Sequence, residues 1–382
     1  MQPNAKVHLC FVVYEYLPHF SSAEEMLDDL FTLTDTTEAL QQLDFQVSVV
    51  MRFNENISLQ RHGVHYHGIC DRFGPRLKFW QMPRLVHDKV LALRPNIVHT
   101  HNMNKVLQHN HLANRLSGSI PLIVQNHAEW PAKRVRILLQ RLVFRKVAAF
   151  LFCAKGQEEQ WLSTNILRPF KVHFVMEGTT HFKPQDRRRS QQQTGLTGAP
   201  VFLWVGNLDH NKDPLSTLKA FDEILHDYPA ARLYMVYRFA PLQAVVQEFI
   251  DASPRLRKSV SLLGPKPRAA LEVIYNSAHY FVLGSHREGS GYSLMEAMAC
   301  GCVPVVSSIP SFRMMTDDGQ IGALFPVGDV EAIILALRKV LDEPWLEHSL
   351  AARQQFEQQL SQGAIANKLS AIYLALLANN RL

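Results

Sequence analysis

The sequence predicts an α/β protein with two doubly wound parallel-sheet domains, and three observations lead to this prediction. Short apolar runs alternate with helical patterns along the chain, as expected for parallel strands covered by helices on both faces. A polar stretch at 183–200, which has no apolar periodicity, interrupts the alternation once. The length of 382 residues also exceeds that of most domains with a single core.

The first domain is expected to span residues 1–182. Its opening run, "KVHLCFVV", predicts a buried strand from Val7 to Tyr14, and a helical pattern follows at 23–43. Further apolar runs predict strands at 45–51, 96–101, 120–127, 148–154 and 171–178, with helices between them, one of them from Pro83 to Leu93.

The second domain is expected at 201–364, after a linker at 183–200, and it repeats the same alternation. Strands are predicted at 201–205, 231–237, 259–264, 280–284 and 303–308. In sheets of this kind, ligands bind outside the carboxyl ends of the strands, so the turns after these strands are the places to look for functional residues. The architecture alone leaves the function open.

Composition and charge indicate a globular, cytoplasmic protein. No apolar run approaches the ~20 residues that a membrane-spanning helix needs, and no small-residue cleavage site follows the apolar N-terminal run. The five cysteines are odd in number and lie mostly in apolar stretches, as in reduced proteins. The net charge of +6 is modest for this length, and no nucleic-acid partner is predicted.

One segment concentrates positive charge. Residues 131–146, "PAKRVRILLQRLVFRK", combine apolar positions at helical spacing with six basic residues: Lys133, Arg134, Arg136, Arg141, Arg145 and Lys146. An amphipathic helix with a solvated basic face is the favoured interpretation. Peripheral contact with the inner face of an anionic membrane is the alternative.

The stretch "REGSGYSLMEAMACGCVPVV", at 287–306, has the pattern of an anion-binding turn. Gly289 and Gly291 permit a tight turn after a predicted strand, and a helix is expected to start near Ser293 and to stop at Gly301. The N–H groups and the dipole at the start of that helix would then point into the turn, where a diphosphate would fit.

Two glutamates, eight positions apart, flank this turn. Glu296 lies one helical turn into the predicted helix and could accept hydrogen bonds from the vicinal hydroxyls of a ribose. It also fits a capping box with Ser293, in which it would only satisfy the helix terminus. Glu288 precedes the glycines and would face the group beyond the phosphates, unless it is simply an exposed turn carboxylate.

A second anion-suited turn follows the first strand of the second domain, in "VFLWVGNLDHNKDPLSTLKAF". Gly206 ends the strand, Asp213 is suited to cap the next helix, and Pro214 to begin it. Lys212 lies just before that helix, at the sheet edge that carries the glutamate turn. It is either an exposed lysine or one that is held against phosphate.

Histidines are frequent in the first domain. His99 and His101 share a face at one strand end, because side chains alternate along a strand, and His127 lies at the end of another strand. Five more could join them in a metal site: His62, His65, His67, His109 and His111. None of the spacings is a strong zinc signature, so no metal is predicted. His99, His101 and His127 are interpreted as polar residues of a ligand cleft.

Taken together, these segments resemble glycosyltransferase family 4, the retaining, metal-independent nucleotide-sugar transferases of GT-B fold. "EGSGYSLMEAMACGCVPVVSS" is similar to that family's Glu-x7-Glu segment, and "VGNLDHNKDPLSTLKAF" to its donor loop. "LRPNIVHTHN", "IPLIVQNH" and "HFVMEGTTHFKP" resemble segments of its first domain. The resemblance implies two Rossmann-like domains that face a central cleft, with a last helix, here 365–382, that crosses back to the first domain.

The resemblance also implies roles for particular residues. Lys212 would neutralise donor phosphates, the backbone at Gly289, Ser290, Gly291, Tyr292 and Ser293 would hold the diphosphate, and Asn207 would lie in the donor loop. Glu296 would bind the ribose. Glu288 would contact the donor sugar, and His127 would reach that sugar from the first domain. The implied substrates are a nucleoside-diphosphate sugar and a hydroxyl-bearing acceptor: a polysaccharide, a lipid-linked glycan or a small molecule. No cofactor is implied.

Three segments depart from the family pattern. Asn207 stands where the family usually has arginine, "YEYLPHFSSAEE" replaces a glycine-rich turn after the first strand, and "YRFAP" replaces a glycine-containing turn after "LYMV". These departures keep a second hypothesis open, in which the protein binds a nucleotide sugar or a glycan as a non-catalytic subunit. A nucleotide-sugar epimerase is a third hypothesis, which the 287–306 motif favours less.

Overall fold

A computed structural model describes residues 6–16, 20, 22–133 and 136–379. It divides the chain into two compact units, one formed by Met1–Thr179 with Gln362–Leu382 and the other by Thr180–Ser361. Each unit is an α/β domain with a predominantly parallel sheet, as the alternation of apolar runs and helical patterns predicts.

The first unit contains strands and helices in alternation. Its elements are β1 (His8–Val13), α1 (Ala23–Asp29), α2 (Phe31–Gln42), β2 (Gln46–Arg52), β3 (Ile57–Arg61), β4 (Val64–Ile69), α3 (Arg84–Ala92), β5 (Ile97–His101), α4 (Val106–Arg115), β6 (Leu122–Gln125), α5 (Arg136–Phe144), β7 (Ala149–Phe152), α6 (Glu159–Ser163), β8 (Val172–Phe174) and α16 (Gln362–Asn379). A 3₁₀ turn, Pro169–Lys171, precedes β8.

Within the described residues, the first sheet has the order β3-β4-β2-β1-β5-β6-β7-β8. The chain order reverses at β1, which pairs in parallel with β2 on one side and with β5 on the other. Leu9, Cys10 and Val12 of β1 are at most 1% exposed, because helices cover both faces of this central strand.

The hairpin β3–β4 is an element that the sequence analysis missed. Its strands are antiparallel, with Ile57 opposite Gly68 and Arg61 opposite Val64. His62 and Gly63 both have positive φ, of 47° and 84°, and form the two-residue turn. The histidine-rich stretch around it has no continuous apolar run, because β3 is an edge strand whose residues are all partly exposed.

The last helix, α16, belongs to the first unit, although it follows the whole second unit in sequence. It lies against α2, where the Gln362 side chain donates a hydrogen bond of 2.7 Å to the carbonyl of Asp35. The ring of Tyr373 packs against Phe45 at 6.4 Å between centroids, and Tyr373 is fully buried. In the part of the chain that the structure describes, no helix is long and apolar enough to cross a membrane.

The second unit repeats the architecture with a smaller sheet. Its elements are α7 (Arg187–Thr194), β9 (Val201–Val205), α8 (Pro214–Asp227), β10 (Arg232–Val236), α9 (Gln243–Ala252), α10 (Pro254–Ser259), β11 (Val260–Gly264), α11 (Arg268–Ser277), β12 (Tyr280–Leu283), α12 (Tyr292–Ala299), β13 (Val303–Ser307), α13 (Pro310–Met315), β14 (Ala323–Phe325), α14 (Val330–Asp342) and α15 (Trp345–Gln355), followed by a π-helical turn, Phe356–Leu360.

The second sheet has the order β11-β10-β9-β12-β13-β14, and all of its pairs are parallel. The chain order reverses between β9 and β12, which are neighbours in the sheet although many residues separate them in sequence. The turns after these two strands therefore meet at one edge, where open α/β sheets bind their ligands.

The prediction of a linker at 183–200 is wrong. These residues belong to the second unit and form α7, which Asp186 caps by accepting a hydrogen bond from the N–H of Arg189. Gln191 and Thr194 hydrogen-bond to Ser277 of α11, at 3.0 and 2.9 Å. Polar contacts hold α7 on the domain, so this helix does not need an apolar stripe. Without such a stripe, its sequence has the composition expected of a linker.

In the described part of the basic segment 131–146, α5 spans Arg136–Phe144, and Arg134 lies outside the described residues. Arg141 does not belong to a solvated basic face, because its guanidinium donates to the carbonyl of Thr164 at 2.6 and 3.0 Å. Lys146 donates to the side chains of Asn110 and Asn114. The exposed side chains of α5 include Leu138 and Leu142, both 58% exposed, and Arg136.

Candidate functional site

Lys212 and Glu288 meet at the carboxyl edge of the second sheet. Lys212 lies in the turn after β9 and Glu288 in the turn after β12, and the Nζ of Lys212 donates a hydrogen bond to the Oε1 of Glu288 in an ion pair. Their side chains are only 16% and 13% exposed. The alternatives of an exposed lysine and an exposed turn carboxylate are therefore wrong.

Backbone contacts hold the two turns together. Asn211 receives a hydrogen bond of 2.7 Å at its carbonyl from the N–H of His286, and its side chain donates one of 3.0 Å to the carbonyl of Arg287. Gly206 leaves room for the stem of Lys212, because a Cβ at Gly206 would lie 3.3 Å from Cγ of Lys212. The position of the lysine is thus fixed by the backbone around it.

The helix after the glutamate turn begins at Tyr292. Its N-cap is Gly291, whose φ of 71° is left-handed, and no side chain caps the helix. A Cβ at Gly291 would come within 2.8 Å of the ring of Phe312, so the close packing also requires glycine. Ser293 lies inside the helix, and the capping-box interpretation of Glu296 is therefore wrong. The positive end of the helix dipole lies beside the turn.

Glu296 is held by residues that sequence reasoning missed. It is 8% exposed, and its Oε1 accepts a hydrogen bond of 3.3 Å from Nη1 of Arg268, at the start of α11. Burial raises the pKa of Glu296. The charge of Arg268 and the hydroxyl of Tyr275 act in the opposite direction, but the net shift is upward. No local signal marks Arg268 or Tyr275, because both lie on another helix.

Arg268 is itself fixed by two contacts within the second unit. Its Nη2 donates a hydrogen bond of 3.3 Å to the hydroxyl of Thr180, and its guanidinium lies 4.9 Å from the centre of the Phe182 ring. The guanidinium is therefore held next to the Glu296 carboxylate.

In the first unit, His127 lies at the end of β6 between two partners. Its Nδ1 is paired with the carboxylate of Glu177, and its Nε2 is 2.9 Å from Nδ1 of His101. Burial lowers the pKa of His127, but the hydrogen bond to Glu177 and the negative charges of Glu177 and Glu129 outweigh that effect and raise it. Burial lowers the pKa of His101 well below its usual value. The geometry allows a protonated His127 to donate to both partners, with His101, whose pKa is lowered, as a neutral acceptor.

Glu177 is a further residue that the sequence analysis did not select. It comes three residues after the end of β8, at the same sheet edge as His127. The rule that identified the turns after β9 and β12, that polar residues at the carboxyl ends of parallel strands meet, could have identified it.

His99 is not a ligand-facing residue. It is 1% exposed, its Nδ1 is 2.7 Å from the hydroxyl of Tyr373, and burial lowers its pKa to about 3. Its ring stacks on His101, with centroids 5.0 Å apart. His109 is also fully buried, 3.2 Å from the hydroxyl of Thr100. Within the described ranges, no three His, Cys, Asp or Glu residues are grouped to hold a metal ion.

Two family models match the chain, one in each half. The model "Glycosyltransferase Family 4" matches residues 32–179, and the model "Glycosyl transferases group 1" matches residues 186–359. The chain belongs to glycosyltransferase family 4.

A relative is also named as a glycosyltransferase, and solved structures share the fold. A GDP-mannose:cellobiosyl-diphosphopolyprenol alpha-mannosyltransferase of Xanthomonas oryzae is 24% identical over 232 residues. That match spans 59% of this chain and 59% of the relative. A glycosyltransferase of Rickettsia africae has a TM-score of 0.76 at 13% identity, over 98% of this chain and 99% of that one. The catalytic domain of starch synthase IV from Arabidopsis thaliana, bound to ADP and acarbose, has a TM-score of 0.70 at 14% identity, over 98% of this chain and 100% of that one. The fold is GT-B.

Two departures from the family 4 pattern are structurally connected. Asn207, in the position usually occupied by arginine, accepts a hydrogen bond of 3.4 Å from the N–H of Phe239, which belongs to the unusual "YRFAP" turn. The N–H of Leu208 donates to the carbonyl of Phe239 at 2.9 Å. An arginine has no side-chain acceptor and could not make the first of these bonds. The third departure, "YEYLPHFSSAEE", lies partly outside the described residues, at 17–19 and 21.

Proposed function

We propose that this family 4 protein is a retaining glycosyltransferase that moves a sugar from a nucleoside-diphosphate sugar to a hydroxyl acceptor without a metal ion. The pairing of Lys212 with Glu288 beside the N-terminus of α12 is the observation that carries the proposal. It combines a cation and a helix dipole, which suit a diphosphate, with a carboxylate, which suits a sugar.

The donor is assigned to the second unit. Lys212 and the backbone from Gly289 to Ser293 hold the diphosphate, and Glu296 accepts hydrogen bonds from the ribose hydroxyls. The contact with Arg268 supports this role for Glu296, because it fixes the carboxylate before any ligand arrives. Asn207 lies in the same donor loop. The starch synthase IV domain, which shares the fold, binds ADP, and this supports a nucleotide ligand here.

The reaction breaks the bond between the anomeric carbon and the diphosphate oxygen, whose electron pair leaves with the nucleoside diphosphate. Lys212 and the helix dipole stabilise the charge that develops there. The acceptor hydroxyl attacks the anomeric carbon from the face that the diphosphate leaves, and its proton passes to a departing phosphate oxygen. Configuration is therefore retained. Glu288 contacts the sugar and stabilises positive charge at the anomeric carbon.

His127 is the candidate catalytic residue of the first unit. Its pairing with Glu177 makes it a hydrogen-bond donor with a raised pKa, which suits a role toward hydroxyl or phosphate oxygens of the donor.

The acceptor is a hydroxyl-bearing glycan or a lipid-linked glycan, and the protein acts in the cytoplasm, with peripheral contact to a membrane. Three observations support membrane contact: Leu138 and Leu142 are exposed on α5, Trp80 is 70% exposed, and exposed cations lie nearby in sequence, at Lys133 and Arg136. The Xanthomonas relative is named for a diphosphopolyprenol-linked substrate.

The test is release of free nucleotide from a panel of nucleoside-diphosphate sugars, with EDTA present, by the purified chain. Glu288→Gln is compared with Glu248→Gln, a change at an exposed glutamate of α9. We expect release that Glu288→Gln abolishes and Glu248→Gln leaves unchanged, and NMR of the product should give the anomeric configuration of the donor. Turnover that persists in Glu288→Gln would contradict the proposal. Nucleotide binding without turnover on any acceptor would favour the non-catalytic subunit.

A further inference from the structure

The first unit contains a cavity of about 630 Å³ to which none of the roles above assigns a ligand. Its wall combines two aromatic residues, Phe79 and Trp130, with two cations, Lys133 and Arg136, and with Asn104. A volume of this size is typical of sites for small organic ligands.

The position of the cavity in the fold suits a substrate. Asn104 follows β5, and Trp130 and Lys133 follow β6, so the cavity lies at the carboxyl edge of the first sheet. In open α/β sheets this edge is where ligands bind.

The charged side chains that line the cavity are all positive. Among the described residues neither Lys133 nor Arg136 forms a salt bridge, and none of the lining residues is acidic. Arg136 instead lies over the ring of Phe79, 5.4 Å from its centre. This contact holds the guanidinium at the wall of the cavity without neutralising its charge, and a phosphate would be its matching partner.

Buried amide side chains hold the loops that form the wall. Gln108, 1% exposed, donates hydrogen bonds to the carbonyls of Phe79 and Gln81, at 3.2 and 2.6 Å. Gln140, 2% exposed, accepts one of 2.8 Å from the N–H of Ala132. The aromatic and the cationic loops are therefore each tied to a helix, and the site is built before a ligand arrives.

The surroundings of the cavity are apolar as well as basic. The lining residues Phe79 and Trp130 are 41% and 46% exposed. Trp80 and Leu138, each next in sequence to a lining residue, are 70% and 58% exposed. Large apolar side chains exposed together are typical of interaction sites. A ligand that satisfies these features carries an anionic group and an apolar chain.

We infer that this cavity binds the phosphate or diphosphate group of an amphiphilic substrate, whose apolar chain lies on Trp80 and Leu138. The inference rests on the proposed transferase function and names its acceptor class: a sugar carried on a phosphorylated lipid. Lys133 and Arg136 hold the phosphate, and Trp130 packs against the group that the phosphate carries.

The test is equilibrium binding of farnesyl diphosphate, followed by tryptophan fluorescence of the full chain. A saturating nucleoside diphosphate is present, so that the anion site of the second unit is occupied. We expect Lys133→Gln and Arg136→Gln each to weaken binding about tenfold, as for the loss of one charge-assisted hydrogen bond. The matched control is Arg145→Gln, which removes an exposed cation just after α5 that does not line the cavity.

Two further probes separate the parts of the ligand. Inorganic pyrophosphate and farnesol should each bind at least about tenfold more weakly than farnesyl diphosphate, because each has only one of the two features. If pyrophosphate bound as tightly as farnesyl diphosphate, the inference that the ligand is an amphiphile would be overturned. Absence of farnesyl diphosphate binding, or binding that Arg136→Gln leaves unchanged, would overturn the site.

Failure of this inference is distinguishable from failure of the proposed function. Thermal stabilisation by nucleoside diphosphates reports on the second unit, and it should be the same in Arg136→Gln and in the unmodified chain. If nucleoside diphosphates stabilise the chain but farnesyl diphosphate does not bind, only the inferred acceptor site is refuted, and the proposed function is not. Loss of stabilisation in Arg136→Gln would instead mean that the variant disturbs the fold, and Trp130→Ala then serves as the second test, with the same expected loss.

Discussion

Lys212 and Glu288 form an ion pair although 76 residues separate them in sequence. The pair exists because β9 and β12 are neighbours in the second sheet, so that the turns after them meet. A phosphate that approaches Lys212 competes with Glu288 for the same ammonium group. In the proposed mechanism, ligand binding would then release the Glu288 carboxylate toward the sugar and so connect donor binding to the reaction.

Replacement of Lys212 should weaken binding of nucleoside diphosphates. Lys212→Gln removes the one side-chain cation that we assign to the phosphates, and we expect a loss of about tenfold in affinity, measured by calorimetry. Lys219→Gln, an exposed lysine of α8, should leave affinity unchanged. Equal affinities of Lys212→Gln and the unmodified protein would remove Lys212 from the donor site.

The ribose assignment predicts a change in sugar discrimination. Glu296→Gln should bring the affinities for ribonucleoside and 2′-deoxyribonucleoside diphosphates closer together, because the carboxylate acceptor is lost. Arg268→Gln should do so partially, since it frees the carboxylate from its 3.3 Å contact. The measurement is the ratio of the dissociation constants for the ribonucleoside and the 2′-deoxyribonucleoside diphosphate. A general loss of stability would affect both constants alike and leave the ratio unchanged. An unaltered ratio in Glu296→Gln would refute the role.

The His127–Glu177 pair predicts a pH dependence. Because the folded pKa of His127 is raised, the stabilisation from its charge is fully present below the unfolded value of about 6.5 and is lost as the pH rises through the folded pKa. NMR titration should give a His127 pKa above that of an unfolded peptide, and Glu177→Gln should lower it. Glu357→Gln, at an exposed residue of the second unit, is the control. A His127 pKa that Glu177→Gln does not change would contradict the pairing.

The last helix should contribute to the stability of the first unit. Tyr373→Phe removes the hydroxyl that meets Nδ1 of His99 at 2.7 Å and leaves a buried ring nitrogen without this partner. We expect a loss of about 1–3 kcal/mol in the free energy of unfolding, from urea titration. Leu374→Ala, half exposed on the same helix, should cost less. Truncation after Gly363 should lower the melting temperature of the whole chain, and an unchanged melting temperature would count against this role for the helix.

Membrane contact should depend on the exposed leucines of α5. Leu138→Ser with Leu142→Ser should weaken co-sedimentation with vesicles of phosphatidylcholine and phosphatidylglycerol by about tenfold or more, since each leucine would lose its apolar burial. The control is Leu335→Ser with Leu350→Ser, two leucines of the second unit that are 67% and 63% exposed. Equal sedimentation of the two double variants would refute a specific role for α5.

Local patterns were sufficient for much of the fold. The run "VFLWV" predicts β9 with its observed bounds, and Asp213 caps α8 by accepting a hydrogen bond from the N–H of Ser216, with Pro214 in the first turn. The same reasoning failed where tertiary contacts replace apolar periodicity. Residues 183–200 looked like a linker because α7 is held by polar contacts, and the β3–β4 hairpin was missed because one of its strands is an edge.

The candidate site divides in a similar way. Lys212, Glu288 and Glu296 could be selected from the sequence because each lies in a recognisable strand–turn–helix pattern. Arg268 could not be selected by local pattern, since the contact that makes it relevant comes from another helix. Glu177 could have been located at the carboxyl edge of the first sheet, but its pairing with His127 could not be read from the sequence. Ser293 and Glu296 matched a capping box in the sequence. In the structure the left-handed Gly291 is the N-cap, so Ser293 and Glu296 both lie inside the helix and do not cap it.

The sequence by itself determined the alternation of strands and helices, the two-domain organisation and the turns that carry Lys212 and Glu288, because apolar spacing and glycine positions act locally. The family followed from the resemblance of whole segments to a known family. Only the tertiary structure decided which side chains are paired: Lys212 with Glu288, Glu296 with Arg268, and His127 with Glu177. The physical reason is that pairing depends on strand order in the sheet, which many distant contacts set together. Burial, and with it the pKa values of His99 and His127, follows from the same packing.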